Sequence, residues 1–128
     1  MSIPRLPDAE LEIMKVIWES DGEITSAYVS QKLEGKKTWA VTTVLNFLAR
    51  LVDRGFLTVH KNGKTNIYTS IIPQDDYLKN ESKSFLERLH NNSLKRLVAA
   101  LYDGKAVTKK DLRELRSYID EKAGSAKK

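Results

Sequence analysis

The chain has 128 residues, a formal net charge of +5, 41% hydrophobic residues and no cysteine. These values describe a globular chain of one domain, or of two small ones sharing a core. Without cysteine there is no disulfide, thiolate zinc site, iron–sulfur cluster or cysteine nucleophile, which fits a reducing cytosol.

The opening segment, Met1 to Pro7, has no apolar core of signal-peptide length, and no stretch nears the roughly 18 unbroken apolar residues of a membrane helix. The protein is expected to stay in the cytoplasm, with no membrane insertion. Pro7-Asp8 opens a first helix, with Asp8 as N-cap and Glu10 in the first turn. Leu11, Met14, Ile17 and Trp18 recur at helical spacing and form its buried stripe, and Ser20-Asp21-Gly22 ends it. Glu23-Ile24 is long enough only for a very short strand. Thr25 caps a second helix, with Ile24 and Val29 as the hydrophobic staple around the cap. Leu33 continues that helix's stripe and Gly35 supplies the left-handed residue after it.

A third helix runs from about Ala40 to Arg54 and is closed by Gly55. At about 100° per residue, Val41, Val44, Leu45, Leu48, Leu51 and Val52 fall in one arc, which predicts the core face. Thr42, Thr43, Asn46, Ala49 and Arg50 fall opposite. Two β-prone runs, Phe56–His60 and Thr65–Thr69, flank Asn62-Gly63 with a lysine on each side, a strong hairpin signal. Pro73 marks a boundary. Helices then cover about Asp75–His90, with Tyr77, Phe85, Leu86 and Leu89 as apolar positions, and Leu94–Tyr102, stopped by Asp103-Gly104. Thr108 and Asp111 form a capping-box-like start to a last helix carrying Leu112, Leu115 and Ile119 on one face, and the tail from Ala123 to Lys128 is expected to fray.

Helix, short strand, helix, turn, helix, hairpin is the winged helix-turn-helix plan. The predicted fold is mainly α, with a winged-helix DNA-binding domain over residues 1–73 and a three-helix dimerisation domain over 74–128. In such domains the third helix enters the major groove and its polar face reads base edges. That assigns base reading to Thr42, Thr43 and Asn46, and phosphate binding to Lys37, Thr38, Arg50 and the wing lysines Lys61 and Lys64. Charge is segregated accordingly: six acids and one base lie between Asp8 and Glu23, seven bases and two acids between Lys32 and Lys64, with Arg50 and Arg54 on the third helix. Each feature also has a plainer reading: the polar face as ordinary solvated surface, Trp39 as a packing residue, and the wing lysines as a guard against edge pairing.

The three C-terminal helices cannot easily bury their wide apolar stripes alone. Pairing with a second copy solves this and creates two readers related by a two-fold axis, as a palindromic operator in double-stranded DNA requires. Phe85, Leu89, Leu97, Leu101, Leu112, Leu115 and Ile119 are the expected dimerisation residues. Nothing in the sequence supports an enzyme, a metal site or a cofactor. The two histidines, His60 and His90, stand in a strand and at a helix end, and there is no phosphate-binding glycine loop or nucleophile elbow.

The block from Pro7 to Trp18, Pro-Asp-Ala-Glu-Leu-Glu-Ile-Met-Lys-Val-Ile-Trp, resembles the opening of the BlaI/MecI penicillinase-repressor family. Thr38-Trp39, Thr43, Leu48 to Leu51 with Arg50, and Gly55 resemble its recognition-helix segment. Tyr68, Asp76-Tyr77 and Ser84-Phe85-Leu86 resemble the end of its wing and the start of its dimerisation domain. The resemblance implies a homodimeric repressor of β-lactamase or resistant penicillin-binding-protein genes. It also implies a membrane sensor protease as a partner, cutting within the dimerisation domain; the cleavage point aligns with Ala100-Leu101. The chain departs from the family pattern at Thr42, where a lysine is common, at Ala40-Val41, where Ser-Pro is frequent, and at the cleavage point, where the family has Asn-Phe. Copper-responsive relatives carry a cysteine-rich tail, which this chain lacks. The competing function is a winged-helix interaction or architectural protein with little sequence preference.

Overall fold

In the computed structural model, which describes residues 3–20 and 22–126, the order is α1 (Asp8–Glu19), α2 (Ser26–Leu33), α3 (Val41–Asp53), β1 (Leu57–Asn62), β2 (Thr65–Ser70), α4 (Gln74–His90), α5 (Leu94–Asp103) and α6 (Lys109–Ala126). The chain forms two compact units, one up to Glu81 and one from Ser82. The first unit therefore continues beyond Pro73, because the opening turns of α4 belong to its core.

Local signals set the helix ends. Pro7, not Asp8, is the N-cap of α1: it is extended, and its carbonyl accepts the Leu11 N–H at 2.9 Å. Asp8 instead lies in the first turn with Glu10, where acids complement the helix dipole. The Thr25 hydroxyl accepts the Tyr28 N–H at 3.1 Å, and the staple residues Ile24 and Val29 are both buried. Gly55, at φ 85°, turns the chain from α3 into the hairpin, a conformation that strains any residue with a Cβ.

β1 and β2 are antiparallel, with Val59 opposite Tyr68 and Asn62 opposite Thr65. Gly63 and Lys64 are thus the central turn residues, and Gly63 has the positive φ, 69°, that a type II′ turn needs at its first position. Ile24 exchanges two backbone hydrogen bonds with Tyr68, at 3.0 and 2.8 Å, so the short strand expected at Glu23-Ile24 is a single bridge on the free side of β2.

The core of the first unit is built from Ile13, Met14 and Ile17 of α1, Val29 and Leu33 of α2, Val44, Leu48 and Leu51 of α3, and Phe56, Leu57 and Tyr68. Ile13 replaces Leu11 on the inner stripe of α1; Leu11 and Trp18 are only partly buried. Tyr77 of α4 closes this core. Its ring lies 5.6 Å from Trp18 and 5.8 Å from Phe56, its hydroxyl accepts the Leu6 N–H at 3.0 Å, and it donates to Glu81 at 3.4 Å. Asn80 donates to the Ile3 carbonyl at 2.9 Å, and Trp18 Nε1 donates to the Ile72 carbonyl at 2.9 Å. The N-terminal strap, α1 and α4 are therefore fastened at one point.

The second unit is built differently. Asn91 and Asn92 have positive φ, 53° and 66°, a conformation asparagine tolerates well, and break α4 from α5. Ser93 caps α5 through the Arg96 N–H at 3.1 Å. The capping box of α6 is reciprocal: Thr108 N–H donates to Asp111 Oδ2 at 2.8 Å and Asp111 N–H donates to Thr108 Oγ1 at 3.1 Å. α6 runs through Ala126, into the segment expected to fray; Lys127 and Lys128 lie outside the described residues. None of the described residues from Ser82 onward reaches full burial. Leu97, Leu112 and Leu115 are half-buried, while Phe85, Leu89, Leu101 and Ile119 are exposed. An almost wholly apolar hollow of about 430 Å³ opens between α5 and α6, lined by Leu94, Val98, Ala99, Leu115 and Ile119 with the stem of Lys95.

Burial pushes the Tyr77 hydroxyl above the usual tyrosine range, a rise opposed by the hydrogen bond from Leu6. A tyrosine whose pKa is raised by folding contributes stability that is complete below its unfolded pKa, about 10, and is lost as pH climbs through the folded value. Spectrophotometric titration is expected to show a tyrosine component that ionises above the usual tyrosine range. Tyr77→Phe should remove that late component and, by deleting the bond to Leu6, lower stability by about 1 kcal/mol at neutral pH.

Candidate nucleic-acid interface

Helix α2, the turn at residues 34–40 and α3 form the helix-turn-helix. Lys36 and Lys37 N–H groups donate to the Leu33 carbonyl at 3.0 and 2.9 Å, and Gly35, at φ 85°, makes the turn possible. A groove of about 490 Å³ runs between α2 and the start of α3, lined in part by Ser30, Gln31, Lys37, Trp39 and Val41.

Val44, Leu48 and Leu51 fix the inner face of α3, and Phe47 and Val52 flank it, partly buried. The inner face is therefore turned by roughly 40°, less than half the angle between successive residues, from the arc expected from the sequence. Two residues assigned to the core, Val41 and Leu45, are in solvent instead, 63% and 37% exposed. Phe47 takes their place because its ring packs edge-on against Trp39, centroids 5.1 Å apart. Thr42 and Asn46 are exposed, as a reading face requires, while Thr43 is half-buried at the edge of the inner face.

The Trp39–Phe47 pair also organises charge. Lys37 Nζ lies 5.6 Å from the Trp39 ring centre, and the Arg50 guanidinium 5.9 Å from that of Phe47. One aromatic pair thus supports two cations, and Trp39 is a packing residue, as its plainer reading has it. The sequence pattern conceals Phe47 because its helical angle falls between the two arcs. Thr38, Lys61 and Lys64 are all exposed, Lys64 in the wing turn itself and Lys61 one pair inward, opposite Asn66. Glu23 and His60 form an exposed 3.7 Å pair between the loop after α1 and the wing, too solvated to contribute much.

Arg54 does not join the basic face. Its Nε lies 2.9 Å from Oε1 of Glu10, a carboxylate with a side chain only 2% exposed. Oε1 has no well-directed hydrogen bond, so the contact is an ion pair by distance rather than a shaped bond. It joins the first turn of α1 to the end of α3, and Glu10 is thereby the second inner residue of α1 that the apolar pattern concealed. Nor does net charge favour the first unit. Up to Glu81 the chain carries ten bases against eleven acids, and from Ser82 twelve against six. Attraction of an anion to the first unit rests on where its cations stand, not on their number.

This element order and exposed third helix define a winged helix-turn-helix protein. A family model described as "Penicillinase repressor" matches residues 6–121. The chain belongs to the penicillinase repressor family. It is 35% identical over 119 residues to the penicillinase repressor of Bacillus licheniformis, covering 93% of this chain and 92% of the relative. It is 23% identical over 117 residues to the methicillin resistance regulatory protein MecI of Staphylococcus aureus strain N315, covering 91% and 94%. Among solved structures it resembles the DNA-binding domain of the repressor BlaI, with TM-score 0.52 and 41% identity over 60% of this chain and 94% of that one. It also resembles monomeric Bacillus licheniformis BlaI in complex with the blaP half-operator, with TM-score 0.50 and 41% identity over 59% and 92%.

The Glu10–Arg54 pair gives an asymmetric prediction. Arg54→Ala leaves a buried carboxylate without its cation and is expected to cost about 3 kcal/mol, whereas Glu10→Leu, which fills the same space without charge, should be near neutral. Urea unfolding followed by the fluorescence of Trp18 and Trp39, both in the first unit, checks the order.

Proposed function

We propose that this protein is a homodimeric transcriptional repressor that acts in the cytoplasm, binds dyad operators in double-stranded DNA and controls β-lactam-resistance or related genes. The observation that carries this reading is the solvent face of α3. Thr42 and Asn46 stand on it in the open with Arg50 in the same row, and Lys37, Lys61 and Lys64 are exposed on the neighbouring turn and wing. Side chains of this length and polarity read base edges in the major groove, while cations at the margins hold phosphate. Half-buried Thr43 has a lesser part, at the groove wall. Thr38, just ahead of the helix, joins the phosphate set. The likeness, at 41% identity, to a BlaI monomer in complex with a half-operator supports DNA as the partner.

The second unit supports dimerisation. Its exposed and half-buried apolar residues, Phe85, Leu89, Leu97, Leu101, Leu112, Leu115 and Ile119, have no interior of their own to fill, and a second copy supplies one. Relief of repression by a membrane sensor protease requires a cut between Ala100 and Leu101. That bond lies in the last turn of α5, where the Ala100 carbonyl accepts the Gly104 N–H at 2.9 Å and the Leu101 carbonyl accepts the Ala106 N–H at 2.8 Å. Cleavage there needs local unwinding of that turn, which a short helix without a buried core permits at modest cost.

Selection from a random duplex library by the full chain tests the reading. The expected product is a two-fold symmetric consensus bound roughly 1,000-fold or more tightly than random duplex at physiological salt; equal binding to both would indicate the architectural alternative. Lys61→Ala with Lys64→Ala should weaken binding to every duplex alike and lower the salt slope by about one unit for each phosphate left without its lysine. Leu89→Asp with Ile119→Asp changes residues 59% and 43% exposed. It should sediment as a monomer and lose about 100-fold in affinity for the full dyad while keeping its affinity for a half-site. A double variant that stays dimeric at micromolar concentration contradicts the assigned interface.

A further inference from the structure

The outward face of α3 carries two parallel rows spaced four residues apart. Thr42, Asn46 and Arg50 make one, and Val41, Leu45 and Ala49 make the other. The second row has no role in the core: all three residues are exposed, Val41 by 63% and Leu45 by 37%. An apolar row is an odd surface to leave in water beside hydrogen-bonding side chains. The major groove offers a matching one. Thymine presents a C5-methyl group next to its O4 acceptor, and its adenine partner presents the N6 donor and N7 acceptor. One helical turn, about 5.4 Å, carries successive members of a row across between one and two base steps of about 3.4 Å.

We propose that Val41 and Leu45 are specificity-determining residues that read thymine C5-methyl groups in the major groove, alongside hydrogen bonding by Thr42 and Asn46. The inference rests on the DNA-binding reading above and adds to it a chemical preference. Burial of a methyl against Leu45 is driven by removal of apolar surface from water, and cytosine, which lacks the methyl, is rejected at the same position. Because both side chains begin in solvent, removing them leaves the core intact.

The test uses the full chain and the consensus duplex it selects. Thymines are replaced by uracil one at a time, which deletes only the C5-methyl from the groove. Wild-type protein should bind the uracil duplex about fourfold more weakly at one or two positions in each half-site, the equivalent of one buried methyl. Leu45→Ala or Val41→Ala should bind the thymine and uracil forms equally at its own position, with unchanged thermal melting. The proposal is overturned if wild type does not distinguish thymine from uracil anywhere, or if the distinction persists in both variants. It is also overturned if the half-sites contain no thymine, or if the variants lose affinity equally for both forms. A chain that enriches no sequence overturns the repressor reading itself, and that result is distinct from all of these.

Discussion

The roll of α3 about its own axis is the constraint on which the candidate interface depends. Three side chains, Val44, Leu48 and Leu51, are fully enclosed by α1, α2 and the start of the hairpin, and a helix so gripped has one way to face. A turn of roughly 40° would put Thr42 at the margin and bring Thr43 forward. The grip is reinforced from the side by Phe47 on Trp39 and at the end by Arg54 on Glu10. The first contact is apolar and short-ranged; the second is electrostatic and buried on one side. Together they resist sliding as well as rotation.

Tyr77 extends the same logic to the rest of the first unit. A phenol that meets Trp18, Phe56 and the backbone of Leu6 joins segments more than seventy residues apart in the chain. Because it stands near the start of α4, the opening turns of that helix are rooted in the core of the first unit. Any displacement of that root costs buried aromatic surface and a buried hydrogen bond.

How much of this is legible in the sequence depends on the kind of signal. Punctuation reads well. The Thr25 cap, the staple of Ile24 and Val29, the glycines at 35, 55 and 63 and the Thr108–Asp111 box are local, and local chemistry decides them. Faces read less well. The apolar arc of α3 spans Val41 and Leu45 because hydropathy cannot tell a side chain that finds a partner from one that does not. Phe47 finds Trp39, and the inner face moves with it. Glu10 is invisible for the opposite reason: a buried acid looks like a solvent-facing one until Arg54 is placed beside it. The unit boundary moves to Glu81 because Pro73 marks where a helix starts, not where a core ends. The second unit's lack of an interior, by contrast, can be anticipated, since three short amphipathic helices have more apolar stripe than inner space.

The two rows on α3 share one property with a consequence for divergence. Apart from Arg50, whose guanidinium meets the Phe47 ring, their side chains stand outside the core, so changes there leave the buried triad of α3 untouched, and surface substitutions of this kind usually shift stability by no more than about 0.5 kcal/mol. Lineages can therefore change the outward rows of this helix without renegotiating the scaffold that holds them. After gene duplication, two copies could part company at Val41, Thr42, Leu45 and Asn46 while remaining nearly identical elsewhere. A cell could then keep several such proteins with different outward faces, built on one architecture.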